Sequence, residues 1–206
     1  YEAFDIAEKY RCIVVVMTDS GLGQMMEPCE MPPFREIKKC DWGLDGTYKV
    51  KRADFLGRNI PGESEEYIRK VRAMRDHEQR WETYGAEDAE YIFVAFGMCG
   101  RVMNGLVREM RAAGEKVGLL RPITAWPFPE KAFEALWEKN PQLKGLITVE
   151  TNGEGQMVED VALYAKKCGL GHLPVYALPY ACGVPKDDVV KADFEKIRAG
   201  KIKEVF

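Results

Sequence analysis

The sequence predicts an α/β protein with a mostly parallel sheet, and three observations in residues 86–160 lead to this prediction. Residues 91–96 form an apolar run of β-branched and aromatic side chains, which is typical of a strand buried on both faces of a parallel sheet. After the glycine turn at residues 97–100, apolar residues recur at helical spacing until Gly114, which is expected to end the helix. Strands and helices then continue to alternate, as they do in βαβ units.

The same periodicities predict the later elements. Pro129 suits the first position of a helix, because the N–H that proline lacks would have no intrahelical partner there. Trp137 and Val189 are expected on the apolar faces of their helices. The prolines within residues 121–129 are expected to exclude any continuing strand. The elements are expected at residues 117–120 (strand), 121–129 (loop), 129–139 (helix), 146–149 (strand), 157–167 (helix), 174–178 (strand) and 185–199 (one or two helical turns).

Three regions are expected along the chain. Residues 1–33 are expected to be the truncated end of one domain, because a helical pattern at residues 1–10 runs directly into an apolar run at 12–17 that predicts a strand. One helix and one strand cannot bury both faces of a sheet, so this strand needs neighbours from elsewhere. Residues 34–85 are interpreted as a linker followed by a charged helix that reaches residue 84. Residues 86–206 form the second domain.

Composition and charge exclude several classes of protein. The 206 residues are 46% hydrophobic, and 30 basic and 33 acidic residues give a net charge of −3. The dispersed basic residues argue against binding to nucleic acid or to an anionic membrane. No apolar run is long enough to span a bilayer, and residues 1–10 lack the features of a signal peptide, so a cytoplasmic protein is expected. Six cysteines without close pairs predict scattered buried thiols rather than metal or cluster ligands.

Three turns that follow predicted strands are candidate ligand sites, because open α/β sheets bind ligands at the carboxyl ends of their strands. Two of them share the pattern Gly-Gln-Met-x-Glu, at residues 23–27 and 155–159, where amides that open a helix attract anions. The alternative is a tight turn with methionine packed inside. The third, at residues 96–101, brings Arg101, which could hold a phosphate or carboxylate or could be a surface or interface arginine.

The sequence suggests no catalytic residue and no metal ligand on this chain by site chemistry alone. His77 and His172 lie far apart in different contexts, so their spacing does not suggest a metal pair. Cys99 has no histidine near it in sequence and is interpreted as a packing residue. The carboxylates read as solvated helix faces rather than as an acid and base pair.

Four motifs together resemble the α subunit of 2-oxoacid:ferredoxin oxidoreductases, nearest to the 2-oxoisovalerate type. They occur in the family's order within residues 11–185, at positions 23–28, 86–91, 118–129 and 155–160. The resemblance implies that residues 1–33 end a thiamine-pyrimidine-binding domain. It also implies that residues 86–206 resemble the C-terminal domain of transketolase, a three-layer fold with a mostly parallel sheet between helices.

The resemblance also implies a reaction: a thiamine ylid attacks a 2-oxoacid, CO₂ leaves, electrons pass to ferredoxin, and the acyl group passes to coenzyme A. It implies that thiamine diphosphate and Mg²⁺ sit on a β subunit and that [4Fe-4S] clusters sit on other subunits, with none on this chain. The implied partners are that β subunit, a γ subunit, a ferredoxin-like δ subunit, ferredoxin, and a second copy of the assembly. The chain is expected to support the chemistry and to be inactive alone.

Site residues are carried over from the same motifs. Four of them are expected near the interface with the cofactor-bearing subunit, and four more are expected at turns of the second domain. They are Gly21, Gly23, Gln24 and Met25, and then Asn152, Gly155, Gln156 and Arg101. Two alternatives stay open: a noncatalytic docking or ligand-binding domain of transketolase-like fold, and the equivalent domain of another thiamine enzyme such as a 2-oxoacid dehydrogenase β chain. The linker and the long charged helix favour the oxidoreductase over the latter.

Overall fold

The computed structural model describes residues 2–36, 63–181 and 183–206 of the chain. These residues belong to two compact units, residues 1–74 and residues 75–206. Most of the predicted linker, residues 37–62, lies outside the described residues. The predicted domain limits at residues 33 and 85 remain predictions.

The first unit contains α1 (Glu2–Tyr10), α2 (Ser20–Gln24) and most of α3 (Glu63–His77). Asp19 caps α2, since its carboxylate accepts a hydrogen bond from the Leu22 amide at 2.8 Å. The Cys12 thiol lies 3.9 Å from the Met74 sulfur, which links the segment after α1 to α3.

The predicted strand at residues 12–17 is wrong for the described structure, in which this segment is irregular. Ile13 is 91% exposed, and Val15, Val16 and Met17 are also exposed. A strand forms only where a neighbour accepts its backbone hydrogen bonds and covers its apolar side chains. No strand in the described part of the chain pairs with this segment. An apolar pattern is therefore present without the partner that would make it a strand.

A five-stranded sheet forms the centre of the second unit, and it confirms the predicted α/β class. Its strands are β1 (Trp81–Tyr84), β2 (Tyr91–Val94), β3 (Val117–Pro122), β4 (Gly145–Glu150) and β5 (Val175–Pro179). The order is β1-β3-β2-β4-β5, in which β1 is antiparallel to β3 and every other pair is parallel. The side chains of Ile92, Phe93 and Val94 are fully buried, as the apolar run predicted.

Helices cover both faces of the sheet and complete three layers. They are α4 (Gly97–Ala112), α5 (Glu130–Lys139), α6 (Met157–Lys167) and α7 (Asp187–Arg198). Successive residues of a strand point to opposite faces. Ile92 accordingly packs in one cluster with α5 and α6, whereas Phe93 packs in a second cluster with α4 and α7. None of the helices in the described ranges is long and apolar enough to cross a membrane.

The predicted helix over residues 63–84 is too long. It ends at His77, and residues 81–84 form β1, whose Trp81 pairs with Pro122 of β3. Trp81 and Tyr84 pack against opposite core clusters, so this short segment alternates between faces as a strand does. The same pairing carries β3 to Pro122, past its predicted end. The Ile123 amide continues the contact by donating to the Arg80 carbonyl at 3.0 Å.

Several side chains differ from their predicted burial. Trp137 is 52% exposed and lies against Gly169 and edge-on to His172 instead of facing the core. Val189 is exposed because Val190, Phe194 and Ile197 form the buried face of α7, which spans 12 residues rather than one or two turns.

The prediction of buried thiols is correct for one described cysteine. Cys99 is buried, Cys12 and Cys168 are half-buried, and Cys29 is exposed. Cys40 and Cys182 lie outside the described residues.

Polar side chains fasten the connection between β1 and β2. The buried Asn140 side chain donates through Nδ2 to the carbonyls of Ala86 at 2.7 Å and Ala89 at 2.8 Å. Arg111 donates to the Gly85 carbonyl at 3.2 Å and pairs with Asp88 at 2.8 Å. These contacts fix the loop that leads into the central strand β2.

Candidate functional site

The carboxyl edge of the sheet in the second unit is the candidate site. Because β2, β3, β4 and β5 are parallel, the turns that follow them lie along the same edge. These turns begin at Ala95, Ile123, Thr151 and Tyr180. Phe96 and Ile123, which follow neighbouring strands, both expose large apolar side chains at this edge.

Glu150 is the central residue of this edge. It is the last residue of β4, and it is only 3% exposed. Its Oε2 accepts hydrogen bonds from the backbone amides of Gln156 and Met157, both at 3.0 Å, and its Oε1 accepts one from the Val158 amide at 3.2 Å. The Asn152 side chain donates to Oε2 at 2.9 Å.

The Glu150 carboxylate occupies the place where an external anion would bind. The three amides are at the start of α6, where the first N–H groups of a helix have no intrahelical partner and where the helix dipole favours negative charge. Many α/β proteins bind a phosphate at such a helix start. Here a carboxylate from the preceding strand satisfies these donors and holds the turn between β4 and α6.

Other hydrogen bonds tie this turn to β5 and α7. The Tyr180 amide donates to the Glu150 carbonyl at 2.8 Å, and the Gly153 amide donates to the Tyr180 carbonyl at 3.1 Å. The Tyr180 hydroxyl donates to the Asp193 carboxylate at 3.2 Å. Burial raises the pKa of Tyr180, and the negative charge of Asp193 raises it further. The Tyr180 hydroxyl is therefore a hydrogen-bond donor and not a base at neutral pH.

Comparison with known proteins identifies the family. Residues 89–183 match the model of the pyruvate:ferredoxin oxidoreductase core domain II. The ketoisovalerate oxidoreductase subunit VorB of Methanothermobacter marburgensis is 37% identical over 79% of this chain and 47% of its own length. The chain belongs to the 2-oxoacid:ferredoxin oxidoreductase family. This finding confirms the resemblance seen in the sequence.

Two further comparisons bear on the family and on the fold. The 2-oxoglutarate synthase subunit KorA of Methanocaldococcus jannaschii is 30% identical over 84% of this chain and 56% of its own length. The chain thus spans about half the length of these relatives. A solved structure of 2-oxoglutarate:ferredoxin oxidoreductase from Magnetococcus marinus, with 2-oxoglutarate, coenzyme A and succinyl-CoA bound, matches with a TM-score of 0.51 and 19% identity. It covers 67% of this chain and 24% of that one, and it shows the shared fold.

In this family member the structure brings together three of the predicted site residues, Asn152, Gly155 and Gln156. The Gly155 amide donates to the Asn152 side-chain oxygen at 2.7 Å, and Gly155 has a φ of +84°, which favours glycine. Asn152 and Gln156 both bind Glu150. The backbone amides that were predicted to bind an anion thus donate to side chains of the chain itself. A ligand role for these residues remains a prediction.

The other predicted residues lie apart from this turn. Gly21, Gly23 and Gln24 lie on α2 of the first unit, and Met25 follows them with an exposed side chain. The alternative of a methionine packed inside the turn applies to Met157, which is buried, but not to Met25 or to Met26, which is 99% exposed.

Arg101 is exposed on α4, which begins at Gly97 directly after β2. Its placement near the carboxyl edge agrees with either interpretation, an anion-binding residue or an interface arginine. Gly100 lets the helix approach the strand closely, since a Cβ there would lie 3.0 Å from the Ala95 carbonyl oxygen.

Glu150 was not among the residues predicted from the sequence. A glutamate that ends a fully buried strand, seven residues before the first residue of a helix, was the available signal. Its spacing differs from that of a capping box, in which the side chains that bond are three residues apart.

Proposed function

We propose that this chain is part of the α subunit of a thiamine-diphosphate-dependent 2-oxoacid:ferredoxin oxidoreductase. The enzyme would convert a 2-oxoacid and coenzyme A into acyl-CoA and CO₂, with electrons passing to ferredoxin. The similarity to VorB and KorA supports the reaction class. The coenzyme A and succinyl-CoA bound to the Magnetococcus marinus enzyme support coenzyme A as the acyl acceptor. The location would be cytoplasmic.

The chain's own role in this proposal is to support assembly and the interface around the active site. Two buried carboxylates of the described second unit are already engaged, Glu78 with Arg80 at 2.9 Å and Glu150 with α6. Neither carboxylate is free to bind Mg²⁺, and the described carboxyl edge does not fit thiamine diphosphate for a second reason. The Glu150 carboxylate takes up the donors that a diphosphate would need and would repel its negative charge. We propose that the diphosphate and Mg²⁺ sit on the β subunit and that the [4Fe-4S] clusters sit on other subunits.

The exposed segment of residues 12–17 is the observation on which the assembly role depends. Four large apolar side chains within residues 13–17 are exposed, namely those of Ile13, Val15, Val16 and Met17. Contiguous exposed apolar surface of this kind marks a protein interaction site, and an extended segment can join the sheet of another polypeptide segment or chain. We propose that Gly21, Gly23, Gln24 and Met25, which follow this segment, face the cofactor-bearing subunit. Asn152, Gly155, Gln156 and Arg101 are proposed to contact it from the second unit, and a second copy of the assembly to complete a dimer.

A substitution in this segment tests the assembly role. Val15→Lys is expected to leave the unfolding of the isolated chain unchanged, because Val15 is exposed there, and to weaken capture of the thiamine-binding subunit from the native organism. Loss of one central apolar contact of about 1.4 kcal/mol lowers affinity about tenfold. Leu163→Lys, at an exposed position of α6, is the matched control. Equal capture by wild type and Val15→Lys would refute the role of the segment. Recovery of neither a thiamine-binding nor a ferredoxin-like subunit by wild type would favour the docking-domain alternative.

The isolated chain is expected to bind no thiamine diphosphate. Isothermal titration with thiamine diphosphate and Mg²⁺ should give only the heat of dilution, because the α6 amides are already bonded to Glu150. Dissociation in the micromolar range would place the cofactor on this chain and contradict the proposal. The same titration with the copurified complex serves as the positive control.

A further inference from the structure

Three potential metal ligands meet on the side of the second unit that α5 and α6 cover. Glu130 is the first residue of α5, Glu134 follows one turn later, and Cys168 is the C-cap residue of α6. One carboxylate oxygen of each glutamate and the Cys168 Sγ all lie within 4.8 Å of one another. None of these residues takes part in the proposed function above.

The fold holds these ligands in place from two elements. Glu130 and Glu134 are four residues apart, which puts their side chains on the same face of α5. The Cys168 thiol donates to the Glu130 carbonyl at 3.6 Å, which fixes the end of α6 against the start of α5. Tyr164 of α6 stacks on Phe128, just before α5, with ring centroids 4.9 Å apart. The cluster therefore does not depend on a single mobile side chain.

The surroundings of the thiol are negative and partly shielded from water. Burial, together with the charges of Glu130 and Glu134, raises the pKa of Cys168 to about 11, although Lys167 and a backbone hydrogen bond at Glu134 oppose this rise. The Lys167 ammonium itself lies over the Tyr164 ring, 4.6 Å from its centroid. A divalent cation beside the cluster would relieve the repulsion between the carboxylates of Glu130 and Glu134, whose ligand oxygens lie within 4.8 Å of each other.

We propose that Glu130, Glu134 and Cys168 form a three-ligand site for a zinc-type divalent cation. Thiolate and carboxylate ligands together suit Zn²⁺, whereas Mg²⁺ and Ca²⁺ take oxygen ligands. Zinc lies about 2.3 Å from a thiolate and about 2.0 Å from a carboxylate oxygen, so small side-chain rotations bring all three donors onto one ion. On binding, the Zn–S bond forms, the S–H bond breaks, and the proton passes to the solvent. Water fills the fourth position.

Cadmium, a spectroscopic substitute for zinc, tests the site in the complete 206-residue chain. Titration with Cd²⁺ in a thiol-free reductant is expected to produce thiolate-to-cadmium charge-transfer absorption that Cys168→Ser abolishes. Cys29→Ser, which removes an exposed cysteine of the first unit, should retain it. Persistence of the full absorption in Cys168→Ser would overturn the proposal.

The glutamates are tested by a charge-matched pair of variants. Glu134→Gln removes a ligand, and Glu138→Gln removes the same charge from the next turn of α5, where the side chain is also exposed. Glu134→Gln is expected to weaken Cd²⁺ binding at least about tenfold. Removal of a residue that only hydrogen-bonds to a metal ligand already lowers metal affinity by about that factor, and Glu134 is proposed as a ligand itself. Glu138→Gln should bind as wild type does. Equal weakening by both variants would show general charge attraction and refute the site.

Thermal unfolding with and without Zn²⁺ tests the site independently of the charge-transfer absorption. Zn²⁺ should raise the melting temperature of wild type but not that of Glu134→Gln, whose exposed position does not affect packing. The proposed oxidoreductase function is unaffected by either result, since capture of partner subunits is measured separately.

Discussion

Replacement of Glu150 by glutamine is expected to lower the free energy of unfolding of the second unit by about 2 to 4 kcal/mol. Glutamine has the same shape but only one acceptor oxygen. Its NH₂ group would face an N–H donor of Asn152 or of the start of α6, which leaves buried donors without acceptors. Urea unfolding followed by circular dichroism measures the loss.

The control is Glu154→Gln, at an exposed position in the same turn, which should unfold as wild type does. Glu150→Ala distinguishes an internal anion from a simple packing residue. It leaves the amides of Gln156, Met157 and Val158 free around a small cavity, so added formate should raise the melting temperature of this variant and not of wild type. An unchanged stability of Glu150→Gln would contradict the role assigned to the carboxylate.

The alternation of strands and helices could be predicted because each element has its own local apolar period. Residues 91–96 are apolar throughout, and α4, α5 and α6 each show one apolar stripe. The strand at residues 12–17 could not be judged in this way. Its pattern is that of a strand, but the pairing that makes a strand lies in other residues, and the described chain supplies none. Strand β1 is the opposite case, since pairing with β3 makes a strand of residues that were predicted to end a charged helix.

The candidate site was only partly visible in the sequence for a similar reason. The turn at Asn152, Gly155 and Gln156 was identified from glycine and from its place after a strand. Its central group, Glu150, belongs to the strand, and no local rule places a strand carboxylate on the amides six to eight residues later, at the start of the next helix. Only the folded turn brings them together, at 3.0 Å.

Two of the motifs that resemble the family, at residues 86–91 and 155–160, stabilise the fold of the second unit. The motif at residues 86–91 supplies the carbonyls of Ala86 and Ala89 that Asn140 binds. The motif at residues 155–160 supplies the amides that Glu150 binds. Family membership can thus be recognised from residues that stabilise the fold. This explains why the sequence resembles the family although no catalytic residue was predicted from it.

Replacement of Asn140 by alanine is expected to lower the free energy of unfolding by about 2 to 3 kcal/mol, because two buried carbonyls lose their donor. Asn140 is only 2% exposed, and its Oδ1 has no hydrogen-bond partner among the described residues. The stabilisation therefore comes from Nδ2. Thermal and urea unfolding measure the change, and Asn104→Ala on the exposed side of α4 is the control.

Asn140→Asp separates hydrogen bonding from size. An aspartate of nearly the same volume brings a charge and no donor to the carbonyls of Ala86 and Ala89, so it should destabilise at least as much as alanine does. Amide hydrogen exchange should locate the effect. The amides of Glu90 and Tyr91, which donate to the Lys116 carbonyl, should exchange faster once the loop before β2 is released. Wild-type stability and wild-type exchange in Asn140→Asp would mean that packing alone positions the central strand.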